Sequence, residues 1–459
     1  DVPAASTSTL LWLNDKDLHQ VNLASEGIAA NFSAAPLSGI FPLVVQFSDN
    51  SSGGITSWSW NFGDGSTSTA SNPQHTYSSP GLYTVSLTVT GSLGSDTETK
   101  SNYISVYSEV AADFTSDRTN GIAPLTVNFT NTSTGDYSSL LWDFGDGATS
   151  TLNNPSHSYS TGGVYTVSLT ATGPGGTDSQ TKTGFITVYS PVTANFTGSP
   201  TAGVAPLSVA FSDISIGDYS SLAWAFGDGG TSTEQNPSHQ YTAPGVYTVT
   251  LTLTGDGGSD SEIKTDYITV YAPVAADFIG NPTSGVAPLD VSFTNASTGD
   301  YGTHAWSFGD GNTSTLANPT HEYTTPGIYT VTLTVSGDGG TDVETKTDYI
   351  TVYAPADADF TYTPSSGPAP LEVTFTDTST GNYDTYAWSF GDGETSTLAN
   401  PVHTYTEPGS YTVSLTVSGN GGESTETKTD TINVYGAVVA NFTGAPTSGV
   451  APLNVSFTD

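Results

Sequence analysis

The sequence predicts an all-β protein, a tandem array of β-sandwiches forming an elongated rod. Three observations carry this reading. The fragment Ala-(Asn/Asp)-Phe recurs every 82 residues, at Ala30, Ala112, Ala194, Ala276, Ala358 and Ala440, with no insertion between copies. Apolar residues inside each copy alternate with polar ones at a period of two and never at 3.6. Clusters of Gly, Pro, Asn, Asp and Ser punctuate the alternating stretches at regular spacing.

Roughly 80 residues can bury a private core, so each copy reads as an independent domain and not as a solenoid unit. The domains are 30–111, 112–193, 194–275, 276–357 and 358–439, with 440–459 a partial sixth and 1–29 a separate head. Joints such as Tyr189-Ser-Pro-Val-Thr-Ala194 are short, contain Pro and are expected to be semi-rigid. Within the second copy, Val127 and Phe129 share one strand face, followed by Leu140, Trp142 and Phe144. Tyr165, Val167, Leu169 and Ala171 line a longer strand, and Ile186 and Val188 close the unit. About seven half-buried strands, all antiparallel, are expected, and no helical segment.

Charge and composition exclude several classes of function. The chain carries 44 Asp and Glu against 7 Lys and Arg, a formal net charge of −37, so phosphate backbones would be repelled. Cys is absent, which removes disulfides, thiolate metal sites and thiol nucleophiles. No apolar run approaches the ~20 residues of a membrane span, so no membrane insertion is expected within these residues. Aromatics at 11%, placed at fixed intervals, argue against the disorder that an acidic, Gly-rich composition would otherwise imply.

The run Trp142-Asp-Phe-Gly-Asp-Gly147, then Asn154-Pro-Ser-His-Ser-Tyr159, then Gly163-Val-Tyr-Thr-Val-Ser-Leu169 resembles the PKD domain, an immunoglobulin-like module. The same pattern stands at Trp60, Trp224, Trp306 and Trp388. This variant is similar to tandem arrays on surface proteins of methanogenic archaea and to PKD spacers in secreted bacterial collagenases and chitinases. The resemblance implies an immunoglobulin-like sandwich in which Val167 takes the place of the second half-cystine. It also makes Tyr165 a candidate tyrosine corner, its hydroxyl tied back to nearby backbone. Trp142 reads as the buried anchor. Phe-Gly-Asp-Gly reads as a tight turn with positive φ, whose Asp caps turn amides.

His75, His157, His239, His321 and His403 recur once per copy and read as structural residues packed beside the following Tyr. The lysines at 100, 182, 264, 346 and 428 read as solvent-facing residues that guard a strand edge, with an isopeptide to Asn or Asp the sharper alternative. Catalytic residues are not expected, and the chain reads as a non-enzyme.

Calcium is a candidate ligand because oxygen-bearing side chains recur in the loops. The sets are Asn131, Asp136 and Asp146; Asp213, Asp218 and Asp228; Asn295, Asp300 and Asp310; and Asp377, Asn382 and Asp392. Asx turns solvated on their own account for the same residues. Asn-x-Ser/Thr sequons mark candidate glycosylation at Asn31, Asn50, Asn128, Asn131, Asn195, Asn295, Asn312, Asn441 and Asn454. The tail matches only the first two strands of a copy, which cannot bury their face alone. A window cut from a longer array accounts for both ends. So does strand donation, with Leu11, Leu13, Val21 and Leu23 of one head meeting Phe442, Val455 and Phe457 of another tail.

The expected role is an extracellular, cell-surface structural protein, a building block of a layer, sheath or filament. Its partners would be copies of itself or other surface proteins, with covalent glycans and no nucleic acid. An adhesin stalk binding glycans or cells, or a PKD spacer in a larger secreted hydrolase, are the alternatives.

Overall fold

The computed structural model describes residues 27–459 in full and the backbone of Thr7–Asn14 and Asp17–Ala24. Those two head strands pair antiparallel as a hairpin. The side chains of Leu11, Leu13, Val21 and Leu23 lie outside the described residues. Every described element is a strand.

Each of the five repeats is a sandwich of a three-stranded and a five-stranded sheet. In the second repeat the smaller sheet runs Phe114–Ser116, Leu125–Asn131, Ser156–Tyr159 in spatial order. The larger runs Asn120–Ile122, Gly176–Tyr189, Gly163–Gly173, Ser139–Asp143, Thr149–Ser150. The count is therefore eight strands, and one pairing is parallel: Asn120–Ile122 lies alongside Thr187–Tyr189. The expectation of seven antiparallel strands missed this short segment. Its Asn-Gly-Ile sequence carries turn residues and no alternation, although the chain pairs there while switching sheets.

Alternation decides burial. Val127, Phe129, Trp142, Val167, Leu169 and Ile186 are all fully buried, or nearly so, in one cluster. The indole of Trp142 donates to the Leu152 carbonyl at 2.9 Å, so the largest apolar side chain is buried with its polar atom satisfied. The Tyr165 hydroxyl donates to the Thr161 carbonyl at 2.8 Å, and the equivalent bond recurs at Tyr83, Tyr247, Tyr329 and Tyr411. This is the tyrosine corner that the motif implied.

The lysines require correction. They do not face solvent along an edge. Each sits where the long hairpin breaks register, for example between Lys100 and Ile104, and reaches across to the other sheet. Lys264 donates to the Phe196 carbonyl at 2.5 Å and Lys100 to that of Phe32 at the same distance. Lys182, Lys346 and Lys428 bond the matching carbonyls of Phe114, Phe278 and Phe360. The ammonium of Lys264 also lies 4.8 Å from the centre of the Phe196 ring. Three lysines add an ion pair, to Asp113, Asp277 or Asp359. A chain so poor in cations thus spends one per repeat on fastening its two sheets together.

Replacing Lys264 with Met leaves the Phe196 carbonyl without its charged donor, at a cost of about 1.5–3 kcal/mol. Calorimetry of the full chain is expected to show one repeat melting ahead of the others. A thermogram unchanged from the parent would contradict the fastening role.

Candidate functional site

The four joints between repeats are the sites where residues from separate elements converge, and all four are built alike. The closing strand of the second repeat ends at Tyr189, and the next residue is already held by the third repeat. The Ser190 amide donates to the Asp218 carboxylate at 2.5 Å, and the Asp218 amide returns a bond to the Ser190 carbonyl at 3.1 Å. Two residues on, the Val192 amide donates to the Gly257 carbonyl, whose own amide donates to the Asp218 carbonyl. Asp136 holds Ser108 at 2.6 Å in the same way, and Asp300 holds Ala272. Asn382 substitutes its amide oxygen at Ala354.

Two glycines make this approach possible. A Cβ at Gly257 would sit 2.1 Å from the Ser190 carbonyl oxygen, and one at Gly217 would sit 2.2 Å from that of Pro191. Gly217 also has φ of +105°. Beside the third joint, Val246 and Tyr271 of one repeat and Asp300, Tyr301 and Asp338 of the next line an open groove of about 730 Å³.

The expected calcium sets do not converge. Asp136 and Asp146 flank the strand Ser139–Asp143, whose five residues separate them by about 17 Å. The same separation holds Asp218 from Asp228, Asp300 from Asp310, and Asn382 from Asp392. Among the described residues no group of three or more His, Asp or Glu side chains is placed to hold a metal ion. Each of these side chains has another partner. Asn131 and Asn295 donate to the hydroxyls of Tyr137 and Tyr301. Asp213 and Asp377 accept from Tyr219 and Tyr383, and burial followed by that bond pushes the Tyr383 hydroxyl up to about 12.

Asp64, Asp146, Asp228, Asp310 and Asp392 each bind the recurrent His, at 2.6–2.7 Å from its Nε2. The His157 ring stacks on Phe144 at 4.2 Å and meets Tyr159 edge-on. Asp146 also caps the Ala148 amide of its turn. The sequence pointed to the turn cap and the Tyr contact. It did not point to the His–Asp pair, whose signal is their shared spacing in every repeat.

Among the sequons, Asn31, Asn128, Asn195, Asn441 and Asn454 are exposed, as are Asn50 and Asn312. Asn128 bonds Asp117, Asn50 bonds Ser33 and Asn312 bonds Asp310. Asn131 and Asn295 are half-buried, their side-chain nitrogens held by Tyr, which leaves them poorly presented for modification. Phe442, Val455 and Phe457 of the tail are exposed.

Burial opposes ionisation of Asp64, Asp146, Asp228 and Asp310, but the turn amide and the His ring outweigh it and hold each carboxyl below its ordinary value. A depressed folded value means stability that is fully present above the unfolded value of about 3.9 and is lost as pH falls through the folded one. The melting temperature is therefore expected to drop below about pH 4, and Asp228→Asn should shrink the drop in its own repeat. A pH profile identical to the parent's would contradict this assignment.

The PKD domain pattern matches residues 33–106, 109–188, 190–270, 271–352 and 355–434. One stretch is 53% identical over 45 residues to Collagenase ColA of Bacillus cereus, covering 10% of this chain and 5% of that protein. The Pre-pro-metalloprotease PrtV of Vibrio cholerae is 44% identical over 65 residues, covering 13% and 7%. The Microbial collagenase of Vibrio alginolyticus is 40% identical over 88 residues, covering 18% and 11%. The chain spans about a tenth or less of the length of these relatives. Among solved structures, the N-terminal eight Ig domains of DSCAM align over 94% of this chain and 64% of that one, at 13% identity and a TM-score of 0.37. An I-band fragment of titin aligns over 53% and 98%, at 13% identity and a TM-score of 0.39. With five matched segments spanning most of its length, the chain belongs to the PKD domain family.

Proposed function

We propose that the array is an extended, non-catalytic spacer in the extracellular part of a larger protein, holding apart the parts joined to it. The observation that carries this reading is the clamped joint. The residue after each closing strand is already bonded to the next repeat, so the chain length goes into reach and not into slack. The His rings of the His–Asp pairs stack on the core aromatics, which is a structural arrangement. The relatives that share these segments are proteases many times longer than the matched stretch. That favours a spacer within a secreted hydrolase over a building block of a surface layer, sheath or filament, or an adhesin stalk.

Each compact repeat is roughly 30–40 Å long, so five clamped end to end reach about 150–200 Å. Solution scattering of the full chain is expected to return a maximum dimension in that range. The double variant Asp218→Ala, Asp300→Ala should bend at two joints and shorten it, with the melting temperature nearly unchanged. A collapsed parent particle, or a variant as long and stiff as the parent, would contradict the spacer reading.

A further inference from the structure

Seven Asn-x-Ser/Thr sequons fall within the five repeats, and the fold treats them unequally. In five of them the side-chain nitrogen already has a partner. Asn50, Asn128 and Asn312 donate it to Ser33, Asp117 and Asp310 at 2.9–3.0 Å. Asn131 and Asn295 donate it to the Tyr137 and Tyr301 hydroxyls at 3.0 and 3.1 Å. At Asn31 and Asn195, by contrast, the nitrogen donates to no group among the described residues.

These two residues share one place in the fold. Each directly precedes the first strand of its smaller sheet, Phe32–Ala35 or Phe196–Ser199. The middle residue of the sequon, Phe32 or Phe196, is buried, so alternation turns its two neighbours outward. Asn195 and Thr197 are accordingly exposed, as are Asn31 and Ser33. The Asn195 side-chain oxygen accepts the Phe196 amide at 2.8 Å, which leaves its nitrogen directed away from that amide. The Ser33 hydroxyl accepts from Asn50, whereas that of Thr197 has no partner among the described residues.

The other three repeats show what the position does when it is not Asn. Asp113, Asp277 and Asp359 stand there, and each pairs with the lysine of its repeat at 2.8–3.1 Å. A neutral Asn forgoes that ion pair, and Lys100 and Lys264 are left with the Phe carbonyl. The sandwich thus makes no use of the nitrogen at either Asn.

From this we infer that Asn195 is an N-glycosylation site and Asn31 a second, while the five held sequons stay bare. The inference rests on the extracellular setting proposed above, where such sequons meet their transferase. The co-reactant is a lipid-linked oligosaccharide phosphate. A bond forms between Asn195 Nδ2 and C1 of the sugar as the C1–phosphate bond breaks. The lipid phosphate leaves with the bonding electrons, and the amide releases one proton. At a held nitrogen the transferase must first break a hydrogen bond, and at Asn195 it need not. The glycan would flank the second joint, just beyond the Ser190 clamp, with uncharged and hydrated bulk.

Glycopeptide mass spectrometry of the full chain from its native source reads all seven sequons together. Sugar is expected on Asn195 in most molecules and on Asn31, with none on the other five. Thr197→Ala should abolish the sugar at Asn195, and Thr197→Ser should keep it. Both variants change an exposed side chain, so their melting temperatures should match the parent's. A bare Asn195 in protein recovered outside the cell would overturn the proposal and leave the spacer reading standing. Equal occupancy of the held sequons, or sugar that survives Thr197→Ala, would do the same. Bare protein recovered inside the cell would overturn both the proposal and the extracellular setting.

Discussion

The amide that follows each closing strand has no strand left to pair with, and the rest of the array depends on where its hydrogen bond goes. A loop carboxylate of the next repeat accepts it at 2.5–2.6 Å at three joints, and an Asn oxygen takes the same place at the fourth. The bond to a charged acceptor at three of the joints is short and charge-assisted, so the chain is drawn directly from one sandwich into the next. The close approach then explains the glycines at 217 and 257, which no residue with a Cβ could replace without displacing backbone. Fold, joint and reach follow from one repeated contact.

Charge is placed with equal economy. Carboxylates serve the joints, the turn caps and the His rings, and one lysine per repeat fastens the sheets through a Phe carbonyl.

Much of this was legible in the sequence. The 82-residue period gave the copies, and alternation placed Val127, Phe129, Trp142 and Leu169 in the core where the structure has them. The Tyr165 corner followed from its motif. Contacts between residues distant in sequence were not legible. Lys100 looked solvent-facing because its neighbours are polar, yet its long side chain spans the gap between sheets to a residue 68 positions away. The oxygen-rich loops looked like one ligand set because sequence distance does not show that a strand stands between Asp136 and Asp146. The parallel pairing at Asn120–Ile122 was hidden for a related reason, since three residues, two of them turn-type, carry no alternation to read.

Hydrogen exchange at single-residue resolution is the most direct test of the central claim. The amides of Ser108, Ser190, Ala272 and Ala354 are expected to exchange as slowly as those within the flanking closing strands. Asp218→Ala should release Ser190 alone. Exchange of all four amides at the rate of an open loop in the parent protein would show that the joints are not held, and the account of the array would fail with them.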